Sequence, residues 1–388
     1  MTTSPSNNIW PTRLYYIFLF AGAGFVTPFL NLFFVHLGLH GTEIGWITAI
    51  SAVVTLIAAP IWTNRNNRWQ NPRIVLQMLL VFTSLTLVLL GQQTLFLGII
   101  LIITLNAFIG AGIVPISDGL ALRVTEGSEA GYGSIRVFGS LGWMIFVLVA
   151  GWVVEQTSLK SSLIGGAFFT VMAAACLFPI EIRHFASTGK QASSSIREVI
   201  RTLLKNRSMI GAALMIIIIG LAGSSIFQFQ GVYLSQLGAS ATIIGVGGMA
   251  ASVVELPFML WSDRLTARFG AYRLLQVGML VYVVVRGVIF VFPSIPLILI
   301  AEALSGIAYS FLTVALVRVI AEQTDATETR TVLALYTVTL TSLISIVSGP
   351  LVGLTFDRLG ARSLYLIAAV GYLLAWLSLY LTRPRQTD

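Results

Sequence analysis

Between residues 13 and 381 the chain passes through one apolar stretch after another, each about twenty residues long, with little hydrophilic sequence in between. A helix rising about 1.5 Å per residue needs about that many residues to cross a hydrocarbon core of roughly 30 Å. Twelve stretches meet the criterion, over residues 13–36, 43–63, 73–91, 95–120, 133–155, 161–180, 207–235, 240–262, 271–292, 295–317, 330–354 and 363–381. Only 10% of the residues are charged and mean hydropathy is +0.90, whereas a soluble domain carries roughly a quarter charged residues. The expected fold is an all-α membrane protein of twelve transmembrane helices.

The distribution of Lys and Arg gives the expected orientation. With the N-terminus inside, nineteen of the 23 basic residues fall in inner segments, and only Lys160, Arg358 and Arg362 fall in outer loops. One missed span would scramble that asymmetry, so the positive-inside rule supports both the count and two cytoplasmic termini. The net charge of +8 is then a topology signal facing anionic lipid, and it calls for no nucleic acid. The polar N-terminal dozen residues carry no basic n-region, so the first span reads as a retained helix. The expected location is a plasma membrane, the inner membrane of a bacterium, with the chain a monomer.

One long hydrophilic segment interrupts the pattern, EIRHFASTGKQASSSIREVIRTLLKNR from Glu181 to Arg207. It divides the chain into an N-terminal six-helix bundle (1–180), a cytoplasmic linker (181–206) and a C-terminal six-helix bundle (207–388), expected to be pseudo-symmetric. In the linker Ser195-x-x-Glu198 has capping-box spacing. Ile196, Val199, Ile200, Leu203 and Leu204 then share one face and Arg197, Arg201 and Lys205 the other, the pattern of a helix lying on the membrane surface. The halves also echo each other: Gly151-x-x-x-Glu155 closes the fifth span and Gly353-x-x-x-Asp357 the eleventh. Paired halves of this kind suit transporters working by alternating access.

Ions inside hydrocarbon are costly, at least about 2.5–3.5 kcal/mol each on insertion scales, so they are paired or used. Asp118, Glu255, Arg286 and Glu302 lie within spans and Arg136 at the start of one. Arg286 and Glu302 each stand eight residues from Ser294, the centre of a short turn, and so share a depth. Asp118 and Arg136 each stand nine residues from Gly127. Counting thus suggests two opposite-charge pairs, one per half, open to a structural reading as helix ties and a functional one as solute or proton contacts. Glu255 has no such partner by spacing and is a proton-carrier candidate, since desolvation favours its neutral form.

GYGSIRVFGSLGW, residues 131–143, sets Gly133, Arg136, Gly139, Ser140 and Trp143 on one helical face. Small residues there either admit a neighbouring helix or leave room for a solute. In the second case Trp143 would stack on a ring and Arg136 would bind oxygens. Asn31, Asn106, Gln228 and Gln230 are further polar groups in spans, lining a cavity or bonding helix to helix.

At these residues the sequence resembles the major facilitator superfamily, and within it the cluster of the lactose permease, nucleoside-proton symporters and phenylpropionate permeases. Tyr132-Gly133-x-x-Arg136-x-x-Gly139-Ser140-x-Gly142-Trp143 is similar to that cluster's fifth-helix signature, Asp118 to its fourth-helix acid, Glu255 to its eighth-helix glutamate and Arg286 to its ninth-helix arginine. The tenth-helix His, Glu and Lys of the lactose permease fall on Ser305, Ala308 and Glu302, so lactose is an unsuitable cargo. The loop motif Gly-x-x-x-Asp-Arg is degraded to Thr63-Asn64-Arg65-Asn66-Asn67-Arg68, while Gly353-x-x-x-Asp357-Arg358 fits it but lies in an outer loop. The resemblance implies proton symport of a sugar, nucleoside or aromatic acid. Substrate contacts would be Asp118, Arg136, Trp143, Arg286, Asn31, Asn106 and Gln228, with Glu255, Glu302 and Asp118 carrying protons.

Drug efflux is the alternative transport reading; the fifth span lacks the proline of the exporters' motif, although Gly349-Pro350 occurs in the eleventh. An intramembrane enzyme would need a nucleophile-base pair or acidic metal cluster, and the chain offers His36, His40 and His184 without an adjoining acid motif. A membrane sensor would need an output domain. A single cysteine, Cys176, excludes a disulfide framework. No cofactor and no metal are called for.

Overall fold

In the computed structural model residues 6–69, 71–126, 131–180, 206–324, 329, 332–333 and 335–382 are described. The surface helix expected at 195–205 lies outside them. Hydrocarbon offers no partner for backbone N–H and C=O groups, so a spanning chain without a closed barrel satisfies them within helices. Among the described residues twelve helices account for nearly everything. They are α1 (Ser6–His36), α2 (Gly41–Trp69), α3 (Pro72–Leu90), α4 (Phe96–Thr125), α5 (Gly133–Gln156) and α6 (Lys160–Cys176). After the linker come α7 (Arg207–Gln236), α8 (Ala241–Phe269), α9 (Ala271–Val291) and α10 (Ile295–Gln323). The stretch Leu340–Thr382 is two helices, α11 and α12, parted at Gly360, whose φ of 76° no helix accommodates.

Local chemistry sets several ends. Asn71 caps α3 by accepting the Ile74 N–H, with Pro72 in the first turn where no N–H is needed. Asn206 caps α7 by accepting from Ser208 and Met209. One departure from the expected spans has a visible cause. The fourth span is broken at residues 111–112, where Gly112 sits against Trp62; a Cβ there would lie 2.6 Å from the Trp62 Cβ. In the eleventh, residues 329 and 332–333 are already helical, as expected for a span from near residue 330, and a π-helical turn, Leu335–Thr339, then leads into Leu340.

The chain divides into two compact units. Unit 1 comprises Met1–Leu39, Ile50–Thr188 and Gly238–Met249; unit 2 comprises His40–Ala49, Gly189–Leu237 and Ala250–Asp388. Each therefore holds one short segment from the opposite half of the sequence. In unit 1, α1 packs along α5 and α6, and α3 along α4 and α6. Its core contains Tyr15, Tyr16, Leu76, Leu79, Leu120 and Ile135. In unit 2, α9 packs along α10 and the 340–382 pair packs along α7, over a core with Leu275, Met279, Ala315, Val319 and Leu379. Large apolar side chains also stand outward, Leu260 being 79% and Phe227 75% exposed. In lipid that costs nothing, and packing depends instead on close fit and small residues.

Candidate functional site

Unit 1 gathers its polar groups where α1, α4 and α5 meet. Neighbouring tyrosines on α1 reach neighbouring polar residues on α4. Tyr15 Oη lies 2.5 Å from Ser117 Oγ, which in turn donates to the Ile113 carbonyl at 2.6 Å, so Tyr15 donates to Ser117. Tyr16 donates to Asp118 Oδ1 at 2.8 Å, and Tyr132, at the start of α5, donates to the same oxygen at 2.9 Å. Oδ1 thus accepts two hydroxyl donors, and Oδ2 makes no hydrogen bond to the described residues.

Arg136 does not close an ion pair with Asp118, as their matched spacing had suggested. Its guanidinium lies over the Phe20 ring, 4.3 Å from the centroid, and Nη1 is buried without an acceptor. The tyrosines take the place the arginine was expected to fill. Gly139 makes room for this arrangement: a Cβ there would stand 2.8 Å from the Phe20 ring and 3.0 Å from Arg136 Nη1. Gly142 brings the α5 backbone against α1 at Ile17, whereas Gly133 faces open space. On the small-residue face Gly139 thus serves helix approach and Gly133 serves none, while Gly142, which lies off that face, also serves helix approach. Trp143, two turns beyond Arg136, is half-buried.

Unit 2 does close its pair. Arg286 Nη1 on α9 lies 2.5 Å from Glu302 Oε1 on α10, both residues buried. Tyrosines wall the pair in: the Arg286 guanidinium is 5.6 Å from the Tyr282 centroid and 5.9 Å from that of Tyr365. Tyr282 stacks on Tyr372 at 4.4 Å, and Tyr233 tilts against Tyr365. Gly223 on α7 leaves the space occupied by the Tyr372 hydroxyl, 2.7 Å from where a Cβ would be. Buried in this way, the pair ties α9 to α10.

Glu255 is half-buried on α8, where its backbone carbonyl accepts from Ser310 on α10 at 2.9 Å. Gly306 lets those two helices touch, since a Cβ would lie 2.9 Å from the Glu255 nitrogen. Gln228 accepts from Thr48 at 3.3 Å, and Asn31 is half-buried on α1. Asn106 donates to Thr86 at 2.7 Å and so joins α4 to α3, the helix-to-helix use of an amide. None of the five intramembrane ions stands on an exposed face.

The tyrosines were the groups that spacing overlooked, though a signal existed. Tyr132 precedes Arg136 by four residues and Tyr282 precedes Arg286 by four, one turn apart on the same face in each half. A buried tyrosine hydroxyl seeks a partner, so such pairs mark polar clusters.

Comparison with known proteins places these features in context. Residues 9–367 match the MFS_1 like family. The maltose permease of Geobacillus stearothermophilus is 32% identical over 275 residues, which cover 69% of this chain and 67% of that protein. The multidrug resistance protein MdtG of Proteus mirabilis is 24% identical over 280 residues, 68% of each. Among solved structures, the nucleoside transporter NupG matches with a TM-score of 0.81 across 97% of this chain and 99% of that one, at 15% identity. A bacterial homolog to the human lysosomal transporter Spinster, inward-facing and unoccupied, matches with a TM-score of 0.71 across 99% of both, at 14% identity. At those identities the structural matches speak to the fold alone.

Proposed function

Because the chain belongs to the MFS_1 like family and is thereby a multi-pass membrane transporter, we propose that it moves a small polar ring compound, a sugar, nucleoside or aromatic acid, together with protons. The observation that carries this reading is the unequal state of the two charged clusters. In unit 2 the Arg286 and Glu302 charges neutralise each other, whereas in unit 1 Asp118 Oδ2 and Arg136 Nη1 keep hydrogen-bonding capacity. An acceptor and a donor of opposite charge suit the hydroxyl and ring-nitrogen pattern of such compounds better than a purely apolar cargo. Trp143, on the Arg136 face, supplies a ring to stack on, with Asn31 and Gln228 as additional contacts.

Glu255 is assigned the proton, with Asp118 as a second titrating group. Glu302, locked to Arg286, is better suited to holding helices. The two halves, 1–180 and 207–388, would work by alternating access, with both termini in the cytoplasm, in a bacterial inner membrane and as a monomer. The sugar permease relative supports the cargo class. The experiment is a panel of sugars, nucleosides and aromatic acids screened by thermal shift, followed by proteoliposome uptake under an imposed pH gradient. A cargo that both stabilises the protein and accumulates with inward protons is expected; accumulation driven by an outward gradient would point elsewhere.

The similarity to MdtG favours drug efflux as a second reading. It predicts that expression raises resistance to hydrophobic cations and that the sugar panel is silent. Gly349 gives that reading no added support, because it already serves packing against Gly45.

A further inference from the structure

Two turns two hundred residues apart repeat each other: Leu37-Gly38-Leu39-His40-Gly41-Thr42-Glu43-Ile44-Gly45 and Leu237-Gly238-Ala239-Ser240-Ala241-Thr242-Ile243-Ile244-Gly245. Gly38 and Gly238 adopt φ of 89° and 87°, so the chain reverses in the same way before α2 and before α8. What meets each helix start repeats as well. In unit 2, Asp357 near the end of α11 accepts the Gly41 N–H on Oδ1 at 2.6 Å. Its Oδ2 accepts the Thr42 N–H at 2.8 Å and the Thr42 hydroxyl at 2.6 Å. In unit 1, Glu155 at the end of α5 accepts the Thr242 N–H at 2.9 Å and the Ser240 hydroxyl at 2.8 Å, both on Oε2.

The glycine four residues before each acid makes the contact possible. A Cβ on Gly353 would run into the Gly41 carbonyl oxygen, and one on Gly151 would stand 2.6 Å from the Ala241 carbonyl oxygen. Further along, Gly45 and Gly349 leave each other no room for a side chain, and Gly245 sits against the Val147 carbonyl. The Gly-x-x-x-acid echo therefore has a physical content: the glycine brings two backbones together and the carboxylate takes the unpaired N–H groups at the positive end of the opposing helix.

We infer that Glu155 and Asp357 are paired locks, each clasping the start of a helix from the other half of the chain, and that both release when the transport pathway opens on that side. The consequence for transport rests on the transporter reading above. The four participating turns follow helices 1, 5, 7 and 11, all odd-numbered, so alternation of crossings puts them on one membrane face. Their exposure suits a gate. A released Glu155 or Asp357 regains water, whereas separating the buried Arg286 and Glu302 would strand two ions, so the former can cycle and the latter stays shut.

The locks are unequal in a testable way. Asp357 uses both oxygens, so Asp357→Asn turns an amide N–H toward a helix N–H. Glu155 uses one, so the carbonyl of Glu155→Gln can still fill it and only charge is lost. The test follows a reporter thiol, Thr48→Cys in a Cys176→Ser background, labelled by a membrane-impermeant maleimide from each face of oriented vesicles. Expected is labelling from one face that rises about tenfold with Asp357→Asn, less with Glu155→Gln and most with both. Glu155→Asp and Asp357→Glu, which keep the charge, should stay near the parent. Parental labelling in the double amide variant, or equally fast labelling in the charge-keeping variants, would overturn the inference. Labelling needs no cargo, so it remains readable should the proposed substrates fail. Lost uptake with unchanged labelling would refute the locks while leaving the transporter reading intact.

Discussion

Arg286 Nη1 lies 2.5 Å from Glu302 Oε1, and both residues are buried behind Tyr282, Tyr365 and Tyr372. Spacing from a shared turn also brought Asp118 and Arg136 to one depth, yet there the acid is bonded by tyrosines and the arginine lies over Phe20. Equal depth is thus necessary for pairing and not sufficient. Rotation about the helix axis decides which side chains meet, and each half resolves it differently.

Removing one partner of the unit 2 pair leaves the other as an uncompensated buried ion, which costs about 3–5 kcal/mol, whereas replacing both by apolar residues is close to neutral. Arg286→Met and Glu302→Leu are each expected to lower the Tm in detergent substantially, and the double variant to recover most of the loss. Thermal unfolding followed by tryptophan fluorescence reads this directly. Additive losses in the double variant would show that the two side chains act independently.

In unit 1 the expectation reverses. Arg136→Ala removes no ion pair, so folded yield and Tm should stay near the parent while cargo uptake falls by about tenfold or more, the worth of a charge-assisted hydrogen bond. Arg136→Lys should not restore it, because an ammonium lacks the planar fork that lies on Phe20 and still presents an N–H. Rescue by lysine would mean that charge alone suffices.

Much of this architecture is legible in the sequence because hydrocarbon permits few solutions. The apolar runs fix the helices to within a few residues, except where tertiary contact intervenes, as at Gly112 against Trp62. The depth of an ion is readable by counting from a turn; its azimuth is not, so Arg286–Glu302 emerged and the tyrosines on Asp118 did not. The Gly-x-x-x-acid echo was visible in the sequence. Its meaning was hidden because the groups it binds, the N–H donors of Gly41 and Thr242, are backbone and leave no mark in side-chain chemistry.

If Glu255 carries the proton, Glu255→Gln separates two activities that a structural defect would abolish together. Exchange of labelled for unlabelled cargo at equal pH needs no net proton movement and should persist. Accumulation against a gradient under an imposed pH difference should disappear. Paired counterflow and uphill-uptake assays on the same proteoliposomes distinguish the cases, and loss of both would remove Glu255 from the coupling role.

The fifth helix offers a comparison of two glycines on one element. At Gly142 a Cβ would collide with the Ile17 carbonyl oxygen and lie 2.9 Å from the Ile17 Cα, all backbone that a rigid helix cannot withdraw. At Gly133 no atom stands within 4 Å. Overpacking of this kind costs about 1–3 kcal/mol, so Gly142→Ala should lower the Tm and the yield of monodisperse protein. Gly133→Ala, which meets nothing, should leave both unchanged or slightly raised, because alanine is the better helix former. Since Gly142 holds α5 against α1, where Phe20 supports Arg136, uptake by Gly142→Ala should fall further than its remaining folded fraction accounts for. Flux per folded molecule, normalised by fluorescence-detected size exclusion, measures that difference; equal flux per molecule would confine Gly142 to stability.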